Sequence, residues 1–438
     1  MLKQRDGVTD LTGRYAREPG RDDGVRSVVG CGILGRVAGP GGRWETSVGL
    51  MGQGGPMRLV VTGGGTGGHT YPALTAVRTL QARLAAEGRK VEVLWVGTAE
   101  GLEARVAPAE GIRFAPVATG KVRRSSNPLK MISPANVRDM GRVPLGAVQA
   151  RSLISEFAPD VVLATGGYVA VPVGLAARSC GVPLVVHEQT VRLGLANKVL
   201  ARAATRVAVS SESTLPLLPA SARRTAVVTG NPVRPAVLAG QAGKAVSALG
   251  LYGFERSLPT VYVTGGAQGS VQINTLVAEA LPWLLERANV VHQCGPANEA
   301  ALRAQAGAPA PHLAGRYLLT GYLGAELPDV LALADVVVSR SGAGTLAELT
   351  ALGKAAVFVP LASSAGNEQA HNASHLQRAG AAVALLGEVT ADGLRAALAP
   401  LLADQARREA MAARSREHGR PDAAERLVDV VLAAASGR

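Results

Sequence analysis

Two short glycine-rich loops leave backbone amides bare, and a third opens a helix with small residues. Gly63-Gly64-Gly65-Thr66-Gly67-Gly68-His69 follows the apolar run 57–62 directly. Gly265-Gly266-Ala267-Gln268-Gly269-Ser270 follows a second such run, and Ser341-Gly342-Ala343-Gly344-Thr345 a third. Amides without side chains around them, at the start of a helix, make an anion site. Loops of this kind in separate halves of the chain predict two diphosphates bound across one cleft, one per half. The plainer alternative is that these glycines only let helix and strand pack closely.

Titratable groups stand beside the same loops. His69 ends the first loop, and a histidine near neutral pH can accept a proton. His187-Glu188-Gln189 follows the apolar Pro183-Leu184-Val185-Val186, so Glu188 is the next carboxylate at a strand end in that half. Glu348 lies about one helical turn into the helix opened by the third loop. His371 and His375 are spaced i,i+4 with Glu368 one turn earlier, but there is no HExxH pattern and no nearby third ligand, so two polar histidines on a helix surface are expected there and no metal site. Gly63, Gly65 and Gly68 fit the dinucleotide pattern GxGxxG. That reading needs an acid roughly 20 residues on. The first acid after the next strand is Glu100, too distant, so no nicotinamide cofactor is expected.

These residues need elements to hold them. From Met57 the chain alternates apolar strands with amphipathic helices. Strands are expected at 58–62, 91–96, 160–164, 183–187 and 206–209. After Asn231-Pro232-Val233-Arg234 the alternation restarts, with strands at 260–264, 289–293, 317–320, 336–339 and 355–359. Strands separated by helices imply parallel sheets with right-handed crossovers. Two such series imply an α/β protein of two Rossmann-like domains facing across a cleft, with ligands at the carboxyl ends of the strands. After the first loop a helix is expected from Pro72, read as its first residue. The uncharged stretch 161–177 is too short for a membrane span and holds Gly166-Gly167 and Pro172; a buried strand, a turn and a buried helix fit it.

Composition narrows the class. The chain has 438 residues, room for more than one core, and 53 glycines grouped in short loops. Its net charge of +13 reads either as an ordinary solvated surface or as attraction to anionic lipid or phosphate-bearing substrates, and no zinc-finger spacing or basic block points to nucleic acid. Cys31, Cys180 and Cys294 are far apart and form no CxxC, which fits a reducing cytosol. Residues 1–56 carry no packable period and no apolar signal core; they read as a disordered extension or a start assigned too early, with Met51 and Met57 both possible starts.

Several motifs occur together in one order: the 63–69 loop, Gly166-Gly167-Tyr168, His187-Glu188-Gln189, Gly230-Asn231-Pro232-Val233-Arg234, the 265–269 loop, Arg340-Ser341-Gly342-Ala343, Asn367-Glu368-Gln369 and Pro421-Asp422-Ala423. In this the chain, from Met57 onward, resembles the MurG family of peptidoglycan N-acetylglucosaminyltransferases. The resemblance implies a GT-B fold. It implies an inverting transfer of GlcNAc from UDP-GlcNAc to the MurNAc 4-hydroxyl of undecaprenyl-diphospho-MurNAc-pentapeptide (lipid I). It implies an acceptor domain at 57–233, completed by a returning helix at 421–438, and a donor domain at 234–420. His69 is the expected base, with Glu188 as the second catalytic candidate. Donor contacts are expected at Thr66, Gly67, Gly68, Thr190, Arg234, Ala267, Gln268, Gly269, Leu323, Ala343, Gly344, Thr345, Glu348 and Gln369. Among these, Glu348 would take the ribose hydroxyls and the Leu323 backbone would read uracil. The acceptor diphosphate is assigned to Gly64, Gly65, Thr66, Gly67 and Tyr168. No metal and no cofactor are expected: no acidic pair stands at a strand-end loop, and the amides of the second loop can hold the leaving diphosphate.

Three positions depart from the family pattern. Thr190 replaces a usual Asn, Ala267 a usual Ser, and Glu368 a Gln or His. Residues 121–151 interleave Lys121, Arg123, Arg124, Lys130, Arg138, Arg142 and Arg151 with apolar side chains, a composition suited to peripheral attachment at the cytoplasmic face of an anionic membrane. Other cell-wall synthesis proteins are further candidate partners. The competing readings are another GT-B enzyme using UDP-GlcNAc, including a 2-epimerase, and a non-catalytic cell-wall scaffold.

Overall fold

A computed structural model describes residues 55–120, 134–305 and 310–437, with side chains of 134–140 and 305 left aside. The extension at 1–56 lies outside these residues except for its last two positions, and so does the basic stretch 121–133.

Thirteen strands are present among the described residues, forming two parallel sheets. The first sheet holds β1 (Met57–Gly63), β2 (Val91–Gly97), β3 (Arg113–Pro116), β4 (Val161–Gly166), β5 (Leu184–Glu188), β6 (Arg206–Val209) and β7 (Ala226–Val228), in the order β3-β2-β1-β4-β5-β6-β7. The second holds β8 (Thr260–Thr264), β9 (Asn289–Gln293), β10 (Tyr317–Thr320), β11 (Val336–Ser339), β12 (Ala355–Phe358) and β13 (Val383–Ala384), in the order β10-β9-β8-β11-β12-β13. This is the GT-B arrangement of two Rossmann-like domains. The central strands are buried along their whole length because helices cover both faces.

In each sheet the strand order reverses once, between β1 and β4 and between β8 and β11. At such a switch point two adjacent loops part to opposite faces and leave a crevice. The loop 63–69 and the pair Gly166-Gly167 leave one switch point; the loops 265–270 and 340–345 leave the other.

Three strands were not expected from sequence. β3, β7 and β13 are short edge strands, and their residues are largely half-exposed, so no apolar run marks them. One helix boundary is corrected. The first helix runs Gly67–Ala86, so Pro72 lies inside it. Extended Thr66 nucleates the helix, its carbonyl accepting the amides of both His69 and Thr70. Pro72, with no N–H, leaves the Gly68 carbonyl without its usual donor. The final helix, Ala423–Ser436, packs Leu427, Val428 and Val431 into the core beneath β4, β5 and β6 and against the first helix. No helix among the described residues is long and apolar enough to cross a membrane.

Candidate active site

The loop after β1 is held by the end of β4. Gly166 and Gly167 have positive φ values of 107° and 83°. A Cβ on Gly167 would lie 2.5 Å from the Gly64 carbonyl oxygen, and one on Gly166 3.0 Å from the His69 ring. With glycine at both positions, Thr165 reaches His69 twice. Its hydroxyl donates to the His69 carbonyl at 2.9 Å, and its own carbonyl lies 2.9 Å from His69 Nδ1. Gln189 Oε1 lies 3.1 Å from the same nitrogen. A carbonyl can only accept, so Nδ1 carries the hydrogen and Nε2 is left as the basic nitrogen.

A buried carboxylate supports this loop from below. Glu103 is fully buried and accepts from Gly65 N, Thr98 N and Thr98 Oγ1 at 2.8–2.9 Å. The Gly65 amide is therefore used inside the protein, which removes it from the amides assigned to the acceptor diphosphate. The open end of the helix at Thr66, Gly67 and Gly68 stays at the crevice. Sequence reading missed Glu103. Its signal was Gly64, Gly97 and Gly101: a Cβ on any of them would fall within 2.5 Å of the Glu103 side chain.

Glu188 is placed differently from His69. Its carboxylate is buried and accepts four hydrogen bonds, from Thr190 N and Oγ1 and from Gly194 N and Asn197 Nδ2, at 2.8–3.1 Å. It ties down the loop 190–197. The Thr190 hydroxyl shares its one hydrogen between this anchor and the Arg192 carbonyl.

In the second domain, a cavity of about 470 Å³ is lined by the loops after β8 and β11, including Gly265, Gly266, Gly269, Ser270, Arg340, Thr345 and Gln369. The helix Val271–Leu285 starts here, with Ser270 as its cap. Arg340, unassigned by sequence, reaches across this cavity wall. Its Nη2 donates to Ser270 Oγ at 2.7 Å, and its Nη1 to Gln272 Oε1 and to the Val359 and Pro360 carbonyls at 2.9–3.1 Å. Burial lowers its pKa, and no carboxylate pairs with it among these contacts. Ala267 and Gln268 stand exposed at the loop tip. Gln369 Oε1 accepts from the Leu361 amide, and the residue lines the same cavity.

Glu348 accepts from Arg234 Nε at 2.7 Å. Burial alone would lower the Arg234 pKa; the hydrogen bond and charge of Glu348 outweigh it and raise the guanidinium. Leu323 is buried in the core of this domain. Gly344 lies in the first turn of the helix Ala343–Leu352, whose Thr345 faces the 470 Å³ cavity while Ala343 lines a separate one beside Gln189 and Asn231. Tyr168 is exposed at the first switch point.

The domains meet at these loops. The helices Gly67–Ala86 and Ala343–Leu352 touch, and Val191 N donates to Asn372 Oδ1 at 3.4 Å across the interface. Glu368 comes from the second domain into the field of His69 and Glu188. Burial raises its pKa, with the His69 charge opposing and Glu188 reinforcing. His375 stacks edge-on against His418 at 5.5 Å.

The chain matches the glycosyltransferase family 28 N-terminal domain over residues 59–209 and the family 28 C-terminal domain over 260–427. It is 38% identical over 379 residues to a UDP-N-acetylglucosamine–N-acetylmuramyl-(pentapeptide) pyrophosphoryl-undecaprenol N-acetylglucosamine transferase of Limosilactobacillus fermentum, covering 86% of this chain and 98% of that protein. The enzyme of the same name from Listeria monocytogenes is 34% identical over 378 residues, covering 86% and 99%. Among solved structures, Acinetobacter baumannii MurG superposes with a TM-score of 0.67 at 25% identity, covering 86% of this chain and all of that one. The UDP-GlcNAc 2-epimerase of Neisseria meningitidis bound to UDP-GlcNAc reaches 0.57 at 16% identity over 86% of this chain, a likeness of fold. Sequence identity over nearly the full length of these relatives, with both family 28 domains in order, makes this chain a member of the MurG family of N-acetylglucosaminyltransferases.

Proposed function

We propose that the protein transfers GlcNAc from UDP-GlcNAc to the 4-hydroxyl of MurNAc in undecaprenyl-diphospho-MurNAc-pentapeptide, with inversion at the sugar C1. The observation that carries the mechanism is the His69 ring, whose Nδ1 faces two carbonyl acceptors. Nε2 takes the proton of the acceptor hydroxyl while that oxygen attacks C1 and the UDP oxygen leaves from the opposite face. Negative charge grows on the departing diphosphate. The start of the helix Val271–Leu285, the Arg340 guanidinium and the remaining amides of the 265–270 loop stand at the cavity that would receive it and supply electrostatic stabilisation without a metal, the Gly266 and Gly269 amides being taken by Thr264 Oγ1 and the Gly266 carbonyl. Glu348, held by Arg234, offers its remaining lone pairs to the ribose hydroxyls. Ala267 lacks a hydroxyl but keeps the loop amides. Glu188 organises the 190–197 loop instead of moving a proton, since its oxygens already accept four hydrogen bonds.

The lipid acceptor requires contact with a bilayer. The helix Pro134–Phe157 exposes Leu145 and Val148 with Arg142 and Arg151, which supports peripheral attachment at the cytoplasmic face. The division at residues 233/234, with Ala423–Ser436 returned to the acceptor side, is part of the same reading.

The test is transfer of radiolabelled GlcNAc to a short-chain lipid I analogue. His69→Ala should lose about 10²–10⁴ in turnover while UDP-GlcNAc binding persists. Near-normal kinetics in that variant would overturn His69 as the base, and no transfer by the unaltered enzyme would overturn the substrate assignment.

A further inference from the structure

The chemistry proposed for His69 needs one tautomer, and the residues behind the ring specify it. His187 is fully buried at the end of β5. Its Nε2 lies 3.0 Å from the carbonyl oxygen of Gly230. That oxygen only accepts, so His187 Nε2 carries a hydrogen. Burial depresses the pKa of this imidazole to about 4, so it is neutral and has only that one hydrogen. Its Nδ1 is therefore an acceptor. Gln189 Nε2 lies 3.1 Å from this Nδ1 and 2.9 Å from the His187 carbonyl, both of which require the amide NH₂ on that side. Gln189 Oε1 must then face His69 Nδ1, at 3.1 Å. The orientation of the Gln189 amide, which geometry alone would leave ambiguous, follows from its three partners.

We propose that His187 and Gln189 are positioning residues that hold His69 as its Nδ1–H tautomer and so keep Nε2 free to take the acceptor proton. The relay runs Gly230 carbonyl, His187, Gln189, His69, and each link has one donor and one acceptor. It ends where the two chain crossings between the domains meet: a Cβ on Gly230 would lie 2.6 Å from the Cβ of Arg420 and 2.9 Å from that of Ala423. The inference rests on the reading of His69 as the base. The Thr165 carbonyl shares the His69 Nδ1 hydrogen, so breaking the relay weakens the tautomer preference without abolishing it.

The first measurement needs no substitution. With ¹⁵N-labelled histidine, long-range proton–nitrogen correlation separates the two tautomers, and the His69 signal is assigned by its absence from His69→Ala. In the unaltered enzyme His69 should show a protonated Nδ1 and a bare Nε2; the opposite tautomer would overturn the proposal even if His69→Ala is inactive. Gln189→Met and His187→Phe should move His69 toward a tautomer mixture. They should also lower kcat by about tenfold, well short of the full loss of the base, with KM for UDP-GlcNAc unchanged. Loss of kcat with an unmoved tautomer, or a change in KM alone, would make the two residues purely structural and refute the relay. Normal turnover in His69→Ala would instead remove the reading on which the relay rests.

Discussion

Replacing Glu348 separates donor recognition from fold stability. Its Oε1 already accepts from Arg234 Nε at 2.7 Å, which fixes the carboxylate and leaves Oε2 for a ligand. A hydrogen bond to a charged group contributes about 1.5–3 kcal/mol. At about 1.4 kcal/mol per factor of ten, Glu348→Ala should raise KM for UDP-GlcNAc by roughly ten- to hundredfold. The ion pair itself should matter little for stability. Arg234 is 44% exposed at its side chain, so water screens the pair to about 1 kcal/mol or less. Glu348→Gln, which keeps the shape but not the charge, should fall between the two. The assay is initial-rate transfer of radiolabelled GlcNAc with UDP-GlcNAc varied at fixed lipid I analogue, with thermal melting of each variant alongside. An unchanged KM in both variants would refute the assignment, as would equal use of a donor lacking the ribose hydroxyls. A large drop in melting temperature with unchanged KM would make Glu348 a structural partner of Arg234.

Arg340→Ala should cost about 10² in kcat/KM, the scale of losing one preorganised donor to developing charge, and Arg340→Lys should recover only part of it because the fork to Ser270 and Gln272 is lost; activity near normal in Arg340→Ala would remove the guanidinium from the diphosphate site. Glu103→Gln should destabilise the protein by about 1–3 kcal/mol, since an amide NH₂ would face donors at Gly65 and Thr98; an unchanged denaturation midpoint would show the carboxylate is not required there. His187 and His292 are both depressed to about 4 by burial. Unfolded histidines near 6.5 bind protons that these two refuse, so stability is full above about pH 6.5 and falls toward pH 4, by about 1.4 kcal/mol per pH unit for each group. The raised Glu368 works in the opposite sense, its contribution being lost as pH rises from the ordinary carboxylate value. Denaturant midpoints that stay flat from about pH 7 to about pH 5 would contradict neutral burial of these histidines.

Some details of the site were invisible before the chain was folded. Thr165 precedes the quoted Gly166-Gly167-Tyr168 but looks like one more strand residue; only the meeting of β4 with the first loop makes it a two-point clamp on His69. Glu103 sits in an amphipathic helix where an acid is ordinarily solvated, yet it is fully buried. Glu188 and Thr190 read as cleft residues from their place at the end of β5, whereas their polar atoms are used by each other and by Gly194, Asn197 and Arg192. A single sequence gives no means of telling a carboxylate with open lone pairs from one already saturated.

What the sequence determined by itself was the alternation of strands and helices, the restart after Asn231-Pro232, the glycine loops and the family. All of these are local: apolar period, turn chemistry and motif order need no distant partner. The edge strands β3, β7 and β13 escaped because a half-exposed strand need not be apolar. The tertiary structure decided the strand order, and through it the site. Placing β4 beside β1 and β11 beside β8 sets the loops at 63–69 and 166–167, and those at 265–270 and 340–345, each at one crevice although they are far apart in sequence. Parallel pairing requires a crossover and leaves the choice of neighbouring strand to long-range packing. That choice brings Thr165 and Gln189 to His69, and Arg340 to Ser270.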